Sequence, residues 1–259
     1  MPNRGEMMKR IAILASSLAL VLMLGAAFAA DLGGRTITIG SDTTYPPFET
    51  VNAKNQIVGF DVDLMNAICK VEDCVAKFQT TNWDGIIPAV NNGEFDMIAS
   101  GMTITAERAK QVDFSKPYKS VDQAIAVRTQ DSGLTLKDFT KQGSKLVLGS
   151  QTGTTNAILA EKLVGRGRLQ LYNDFNQAVQ ALLNGDVNGV VLDDVAAAAF
   201  AQQYAGKLVV NIRGVKSGDE IGFAVPKGDP QGLLPALNDG LAKLKANGTL
   251  DALQTKWFQ

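Results

Sequence analysis

Four short runs in this chain place charge, hydroxyls and glycine where a small charged molecule could be held. The first, Gly101-Met102-Thr103-Ile104-Thr105-Ala106-Glu107-Arg108, reads as a strand opening into a helix, with Thr105 at the N-cap. Arg108 then falls in the first turn, where a cation opposes the helix dipole by about 0.3–1 kcal/mol unless an anion lies nearby. Two explanations fit: an ion pair with Glu107 or Glu94, or a bound carboxylate gripped by the guanidinium fork. The second run, Leu148-Gly149-Ser150-Gln151-Thr152-Gly153-Thr154-Thr155-Asn156, is again strand to helix. Gly153 permits a tight turn, and the amides of Thr154 and Thr155 make either an anion site or a simple capped helix. It lacks the glycine and lysine spacing of a nucleotide-binding P-loop.

The third run is Asp193-Asp194 after the apolar Val190-Val191-Leu192. Asp193, at a strand end, suits an ammonium group, whereas Asp194 reads as the cap of a helix over 195–204. The fourth, Ser41 to Glu49, carries Asp42, Tyr45 and Glu49, and Trp83 stands just before another helix. Loop aromatics are as readily partial core as contacts. Together with an acid, Tyr45 and Trp83 suit a flat or cationic side chain through stacking and charge pairing.

These residues need a scaffold, and the apolar periodicity supplies one. Thr36-Ile37-Thr38-Ile39 alternates with period two, while Leu64, Met65, Ile68 and Cys69 recur at helical spacing behind Asp61 as a possible cap. Short strands are predicted at 145–148, 169–172 and 208–210, separated by helical stretches: an α/β chain with mostly parallel strands. Residues 89–98 echo 181–190 as helix, stop glycine and buried strand, which implies two similar lobes. Eight residues past the stops at Gly93 and Gly185 lie Gly101 and Asp193. Ligands of open α/β sheets bind outside strand carboxyl ends, so both residues should face one site.

Composition narrows the chemistry. The 259 residues hold 25 Lys and Arg against 26 Asp and Glu, so no basic excess exists to neutralise nucleic-acid phosphates or hold an anionic membrane. There is no histidine, which removes Ser-His-Asp triads, Cys-His dyads and His-liganded metal sites. Neither a cofactor nor a metal is called for, and a small-molecule partner is favoured. At the N-terminus Arg4, Lys9 and Arg10 precede the apolar run Ile11 to Leu24 and the small-x-small site Ala27-Phe28-Ala29. Residues 1–29 therefore read as a signal peptide, and no cysteine follows directly to anchor a lipid. Cys69 and Cys74, the only cysteines, are then expected to form a local disulfide in an exported product.

The runs Ser41-Asp42-Thr43-Thr44-Tyr45-Pro46-Pro47-Phe48, Gly59-Phe60-Asp61-Val62-Asp63-Leu64, Trp83 to Ala89, Gly101 to Arg108, Gly153-Thr154-Thr155, Asn247-Gly248-Thr249 and Lys256-Trp257-Phe258 resemble the polar amino-acid-binding proteins of ABC importers, solute-binding family 3. The resemblance spans Thr36 to the end and is nearest to arginine-binding and lysine/arginine/ornithine-binding members. It implies a two-lobed α/β fold, the type II periplasmic binding protein fold. Lobe one would be 36–118 with 222–259, lobe two 123–218, with crossings near 118–123 and 218–222. It also implies a ligand site. Arg108 and the Thr155 amide would take the α-carboxylate, and Asp193, the Gly101 carbonyl and the Thr103 hydroxyl the α-ammonium. Tyr45 and Trp83 would sandwich the side chain, Asp42 would lie toward its far end, and Gln151, Thr154 and Met102 would complete the lining. The expected protein is a monomeric periplasmic receptor that passes a free L-amino acid to a membrane permease. Arginine is preferred over lysine or ornithine, because Asp42 or Glu49 could pair with a guanidinium lying on the Trp83 ring. Glutamine is the alternative ligand. A cyclohexadienyl dehydratase-like enzyme on the same fold is the rival function.

Overall fold

The computed structural model describes residues 31–259, so the signal peptide expected at 1–29 lies outside them. The strands are β1 (Arg35–Ser41), β2 (Thr44–Tyr45), β3 (Glu49–Val51), β4 (Ile57–Val58), β5 (Cys74–Thr80), β6 (Met97–Ile98), β7 (Val112–Phe114), β8 (Lys119–Arg128), β9 (Leu148–Gln151), β10 (Leu169–Tyr172), β11 (Gly189–Asp193), β12 (Leu208–Ile221) and β13 (Ala224–Pro226). One sheet runs β5-β1-β6-β13-β7, a second β10-β9-β11-β8-β12, and β2, β3 and β4 form a small third. Each large sheet has its own core. Ile86, Val90, Phe95, Ile98, Met102 and Val112 pack together in the first, and Ile125, Val127, Phe139, Leu148, Val191 and Ile212 in the second.

The chain leaves the first sheet after β7, builds the second, and returns for β13. Its outgoing and returning passes are β8 and β12, which pair antiparallel from Leu208 opposite Arg128 to Ile221 opposite Lys119, with register shifts between. Beside this ladder the Gln123 amide donates to Asp219 at 2.8 Å, and Lys216 pairs with the same carboxylate.

The expectation of mostly parallel strands is half right. β1 with β5 and β6, and β9 with β10 and β11, are parallel. β8 and β13 run antiparallel to their neighbours. A parallel neighbour needs a crossover that returns the chain to the same end of the same sheet; β8 and β13 instead receive the chain from the other sheet. Two strand boundaries also shift. The strand expected at 145–148 is β9, because Val147 is held in the approach by two hydrogen bonds with Asn188. The strand expected at 208–210 continues through the crossing as the fourteen-residue β12.

The echo between 89–98 and 181–190 is real in structure. Helices Ile86–Asn91 and Phe175–Asn184 are followed by Gly93 and Gly185 at φ 80° and 93°, a left-handed stop that costs glycine nothing. The strands β6 and β11 follow. Cys69 and Cys74 are disulfide-bonded, tying the end of helix Phe60–Val71 to the start of β5. Asp61 does not cap that helix; Gly59 holds the cap position. The Asp61 carboxylate is turned inward, accepting from the Gly101 amide at 2.8 Å and the Tyr118 hydroxyl at 2.9 Å.

Candidate ligand-binding site

Loops from the first sheet and helix starts from the second meet around a cavity of about 20 Å³, room for little more than one water. Asp42, Tyr45, Trp83, Gly101, Thr103 and Arg108 line it from the first sheet's side, and Gln151, Thr154, Thr155 and Asp193 from the second's. Of the sequence-derived set, Met102 alone is missing. Its side chain is fully buried among Ile86, Val90 and Val112, away from the cavity, and only its carbonyl is used, accepting from the Gly222 amide. The backbone turns at Gly101, which takes a left-handed φ of 52°, and Met102 beyond it packs into the first sheet's core.

Arg108 is buried, with 9% of its surface exposed. The helix expected after Thr105 is a single 3-10 turn, Arg108–Lys110, although the Thr105 hydroxyl does accept the Arg108 amide at 3.1 Å. Dipole repulsion therefore does not arise. The local ion pair also falls away, since Glu107 pairs with Lys110. The guanidinium instead lies 4.9 Å from the Trp83 ring centroid and donates to the Thr103 carbonyl at 2.8 Å and the Gly153 carbonyl at 3.3 Å. Burial pushes its pKa down to about 10, so it stays charged at neutral pH.

Asp193 ends β11 with 2% exposure. Its carboxylate accepts from the Tyr45 hydroxyl and from the Asn156 amide at 2.8 Å. Burial raises its pKa to about 6; the two hydrogen bonds hold the rise back. Asp194 is not a cap but the first residue of helix Asp194–Gln203, and its carboxylate accepts from the Asp122 amide. Among the described residues neither Arg108 nor Asp193 forms a salt bridge. A buried cation and a buried anion thus face one cavity, attracting each other without direct contact and hydrogen-bonded to neutral groups.

At the other end Asp42 accepts from Thr44 and from the Gln151 amide at 2.5 Å. Burial raises its pKa and these bonds oppose the rise. The Thr154 hydroxyl donates to the Gln151 carbonyl and accepts from Ala157, capping helix Thr155–Val164. The Thr155 hydroxyl sits 3.4 Å from that of Thr103. Tyr45 and Trp83 both line the cavity: Tyr45 stacks between Phe48 and Phe175, at 5.4 and 5.1 Å, and the Trp83 face carries Arg108.

Glu49, expected as a possible partner of the ligand guanidinium, does not line the cavity. It is fully buried behind the cavity wall, accepting from the Ser100 hydroxyl at 2.9 Å. Ser100, Asn156 and Phe175 line the cavity and escaped the sequence reading. The signal was available. Ser100 precedes Gly101 at a strand end, while Asn156 and Phe175 open helices after β9 and β10, the same placement that singled out Thr155 and Asp193.

The chain matches the bacterial extracellular solute-binding proteins, family 3, over residues 37–259. It is 32% identical to a probable histidine-binding protein of Neisseria gonorrhoeae, covering 87% of this chain and 84% of that one. It is 33% identical to the ABC transporter arginine-binding protein 1 of Escherichia coli K12, covering 86% and 90%. An ancestral arginine-binding protein, solved with arginine and with glutamine, superposes with a TM-score of 0.79 in both complexes at 36% identity; 86% of this chain is covered, and 98% and 97% of those. With two sheets linked by one antiparallel crossing and a polar cavity between them, the chain belongs to the bacterial extracellular solute-binding proteins of family 3 and has their two-lobed fold.

Proposed function

We propose that this protein is a periplasmic receptor that captures a free L-amino acid, arginine by preference, and delivers it to the permease of an ABC importer. The observation that carries the reading is the opposed pair of buried, unbridged charges. A zwitterion supplies what each lacks: a carboxylate for Arg108 and an ammonium for Asp193. Asp42, at the far end with Gln151, gives a guanidinium its counter-ion. The relatives named for arginine and histidine support an amino acid with a nitrogen-bearing side chain.

Capture requires opening. The cavity is far below the roughly 300–1,000 Å³ of small-molecule sites. It is shut by four hydrogen bonds between the two sides, Tyr45 to Asp193, Gln151 to Asp42, Thr103 to Thr155 and Arg108 to the Gly153 carbonyl, and by the stack of Tyr45 on Phe175. We read 36–118 with 222–259 as one lobe and 123–218 as the other, parting about the β8 and β12 ladder. An entering amino acid replaces the Tyr45 hydroxyl on Asp193 and the Gln151 amide on Asp42. Its contacts to both lobes then favour the closed state.

One observation favours glutamine as the ligand: Asp42 already accepts a carboxamide, that of Gln151. Calorimetry on protein stripped of ligand by unfolding and refolding, titrated with arginine, lysine, ornithine, histidine and glutamine, separates the two. Arginine binding tightest is the expected result, and glutamine binding tighter overturns the preference. The monomeric state is checked by light scattering. No turnover of arogenate or prephenate is expected; product formation would establish the dehydratase function instead.

A further inference from the structure

Behind the first lobe's wall of the cavity lie two carboxyl groups that face no cation. Glu49, on β3, and Asp61, in the first turn of helix Phe60–Val71, are both 0% exposed. Each uses one oxygen: Glu49 accepts from the Ser100 hydroxyl, and Asp61 accepts from the Gly101 amide and the Tyr118 hydroxyl. The other oxygen of each, Glu49 Oε2 and Asp61 Oδ1, has no partner. The ionisable groups acting on the two are Asp42 after β1, Tyr45 on β2 and Tyr118 before β8, besides the acids themselves; none is a cation. Two buried carboxylates of like charge with no counter-ion cannot both stay ionised. Burial is the largest cause raising the pKa of each, and the Asp61 charge adds to the rise at Glu49.

What the two acids hold is part of the cavity. Ser100 receives the Asp42 amide at 2.9 Å while donating to Glu49, so a chain of hydrogen bonds runs from Glu49 through Ser100 to the backbone of Asp42. Gly101, at φ 52°, is pinned by Asp61, and a Cβ there would meet the Tyr45 ring at 2.8 Å.

We propose that Glu49 and Asp61 hold one proton between them at neutral pH, and that this protonated pair positions Ser100, Gly101 and Asp42 for ligand binding. The inference rests on the receptor reading above. Glu49 is a positioning residue: it acts through Ser100 and touches no ligand. Loss of the proton places two like charges behind the wall and loosens the Ser100–Gly101 turn.

The test uses Glu49→Gln, which keeps the acceptor for Ser100 and mimics the protonated acid, beside Glu49→Ala and Asp61→Asn. At neutral pH, Glu49→Gln should bind arginine within about threefold of wild type, whereas Glu49→Ala should bind about tenfold or more weakly. From about pH 7 to about pH 9.5 the wild type should weaken by about tenfold relative to Glu49→Gln, a ratio in which the ligand's own titration cancels. Asp61→Asn should flatten the profile likewise and serves if Glu49→Gln misfolds. The pair is also read without ligand: a carboxylic-acid carbonyl band in the infrared spectrum at neutral pH should lose intensity in Glu49→Gln relative to wild type. Parallel pH profiles for wild type and Glu49→Gln, or no acid band, would overturn the proposal. A wild type showing the band but binding no amino acid would defeat the receptor reading instead.

Discussion

The two walls of the cavity are built on different principles. The second lobe presents ends of regular elements: Gln151 closes β9, Thr154 caps a helix, Phe175 opens one and Asp193 closes β11. Backbone ladders hold these positions, and each side chain needs only one or two hydrogen bonds. The first lobe presents loops and short turns: Asp42, Tyr45 on a two-residue strand, Trp83 on a 3-10 turn, and Ser100 to Arg108. Its geometry depends on side chains buried behind it, namely Glu49, Asp61 and Phe48. A ladder-held wall tolerates the loss of one contact, whereas a wall held by buried polar groups transmits it.

The largest effect is expected at Arg108, where both kinds of support are lost at once. Arg108→Ala removes the proposed partner of the ligand carboxylate, the stack on Trp83 and the bridge to the Gly153 carbonyl. Truncating one member of a buried charge pair costs about 2–5 kcal/mol, about 30- to several-thousand-fold in affinity. Calorimetry should record that loss while circular dichroism stays native. Binding within a few-fold of wild type would remove Arg108 from the carboxylate.

The contrast also explains what could be read from the sequence. Gly101, Thr155 and Asp193 were legible because strand ends and helix starts follow from periodicity and punctuation, whereas Gln151 entered only through the family resemblance. The buried roles of Glu49 and Asp61 were not. Glu49 reads as a possible partner of the ligand guanidinium and Asp61 as a helix cap, since local pattern assigns acids to loops and helix starts. Only the packing of β3 and the helix against 99–101 turns both inward. Met102 failed for the converse reason: it sits inside a run of site residues, but its side chain packs into the first sheet's core beyond the left-handed turn at Gly101.

Asp193 comes next, and its test is a pH profile. Its pKa is raised from 3.8 to about 6, so in the free protein it contributes stability that is full below about pH 4 and lost as pH rises through about 6. Binding has the opposite sign, because an ammonium needs the carboxylate. Arginine affinity should therefore be level between about pH 6 and about pH 7 and fall by up to about tenfold per unit below that range. Asp193→Asn should weaken binding at every pH and abolish the slope. An unchanged slope in that variant would assign the titration to another acid, with Asp42 the next candidate.

Phe175 sharpens the comparison at smaller scale. It is the second lobe's face against Tyr45, ring centroids 5.1 Å apart, and an aromatic pair of this kind contributes about 0.5–1.5 kcal/mol beyond its buried area. Phe175→Ala should weaken arginine binding by about three- to tenfold. Phe175→Leu, which keeps the apolar bulk, should recover part of it. Because Phe175 opens a regular helix, its loss should leave the other second-lobe contacts in place. A loss as large as that of Arg108→Ala would mean the two walls are coupled more tightly than their construction implies.

The smallest effect on binding belongs to the Cys69–Cys74 disulfide, which tests whether first-lobe support extends to the far end of helix Phe60–Val71. Asp61, in that helix's first turn, reaches the cavity wall through Gly101, while Cys69 lies at its last turn, bonded to the start of β5. The bridge spans only five positions in sequence, so in the chain-entropy view it stabilises the fold by about 2 kcal/mol, less than a long loop would. That stabilisation comes from restricting the unfolded chain, and nothing in it bears on the cavity. The helix is also held by other means: Ile68 is fully buried, Lys243 pairs with Glu72 just beyond the helix, and Lys256 and Trp257 both reach Asp63. Cys69→Ser with Cys74→Ser should therefore lower the melting temperature by a few degrees and leave arginine affinity within about twofold. An affinity loss of tenfold or more in the folded double variant would mean that the last turn of the helix governs where its first turn sets Asp61. The first wall's dependence on buried side chains would then run the whole length of the helix.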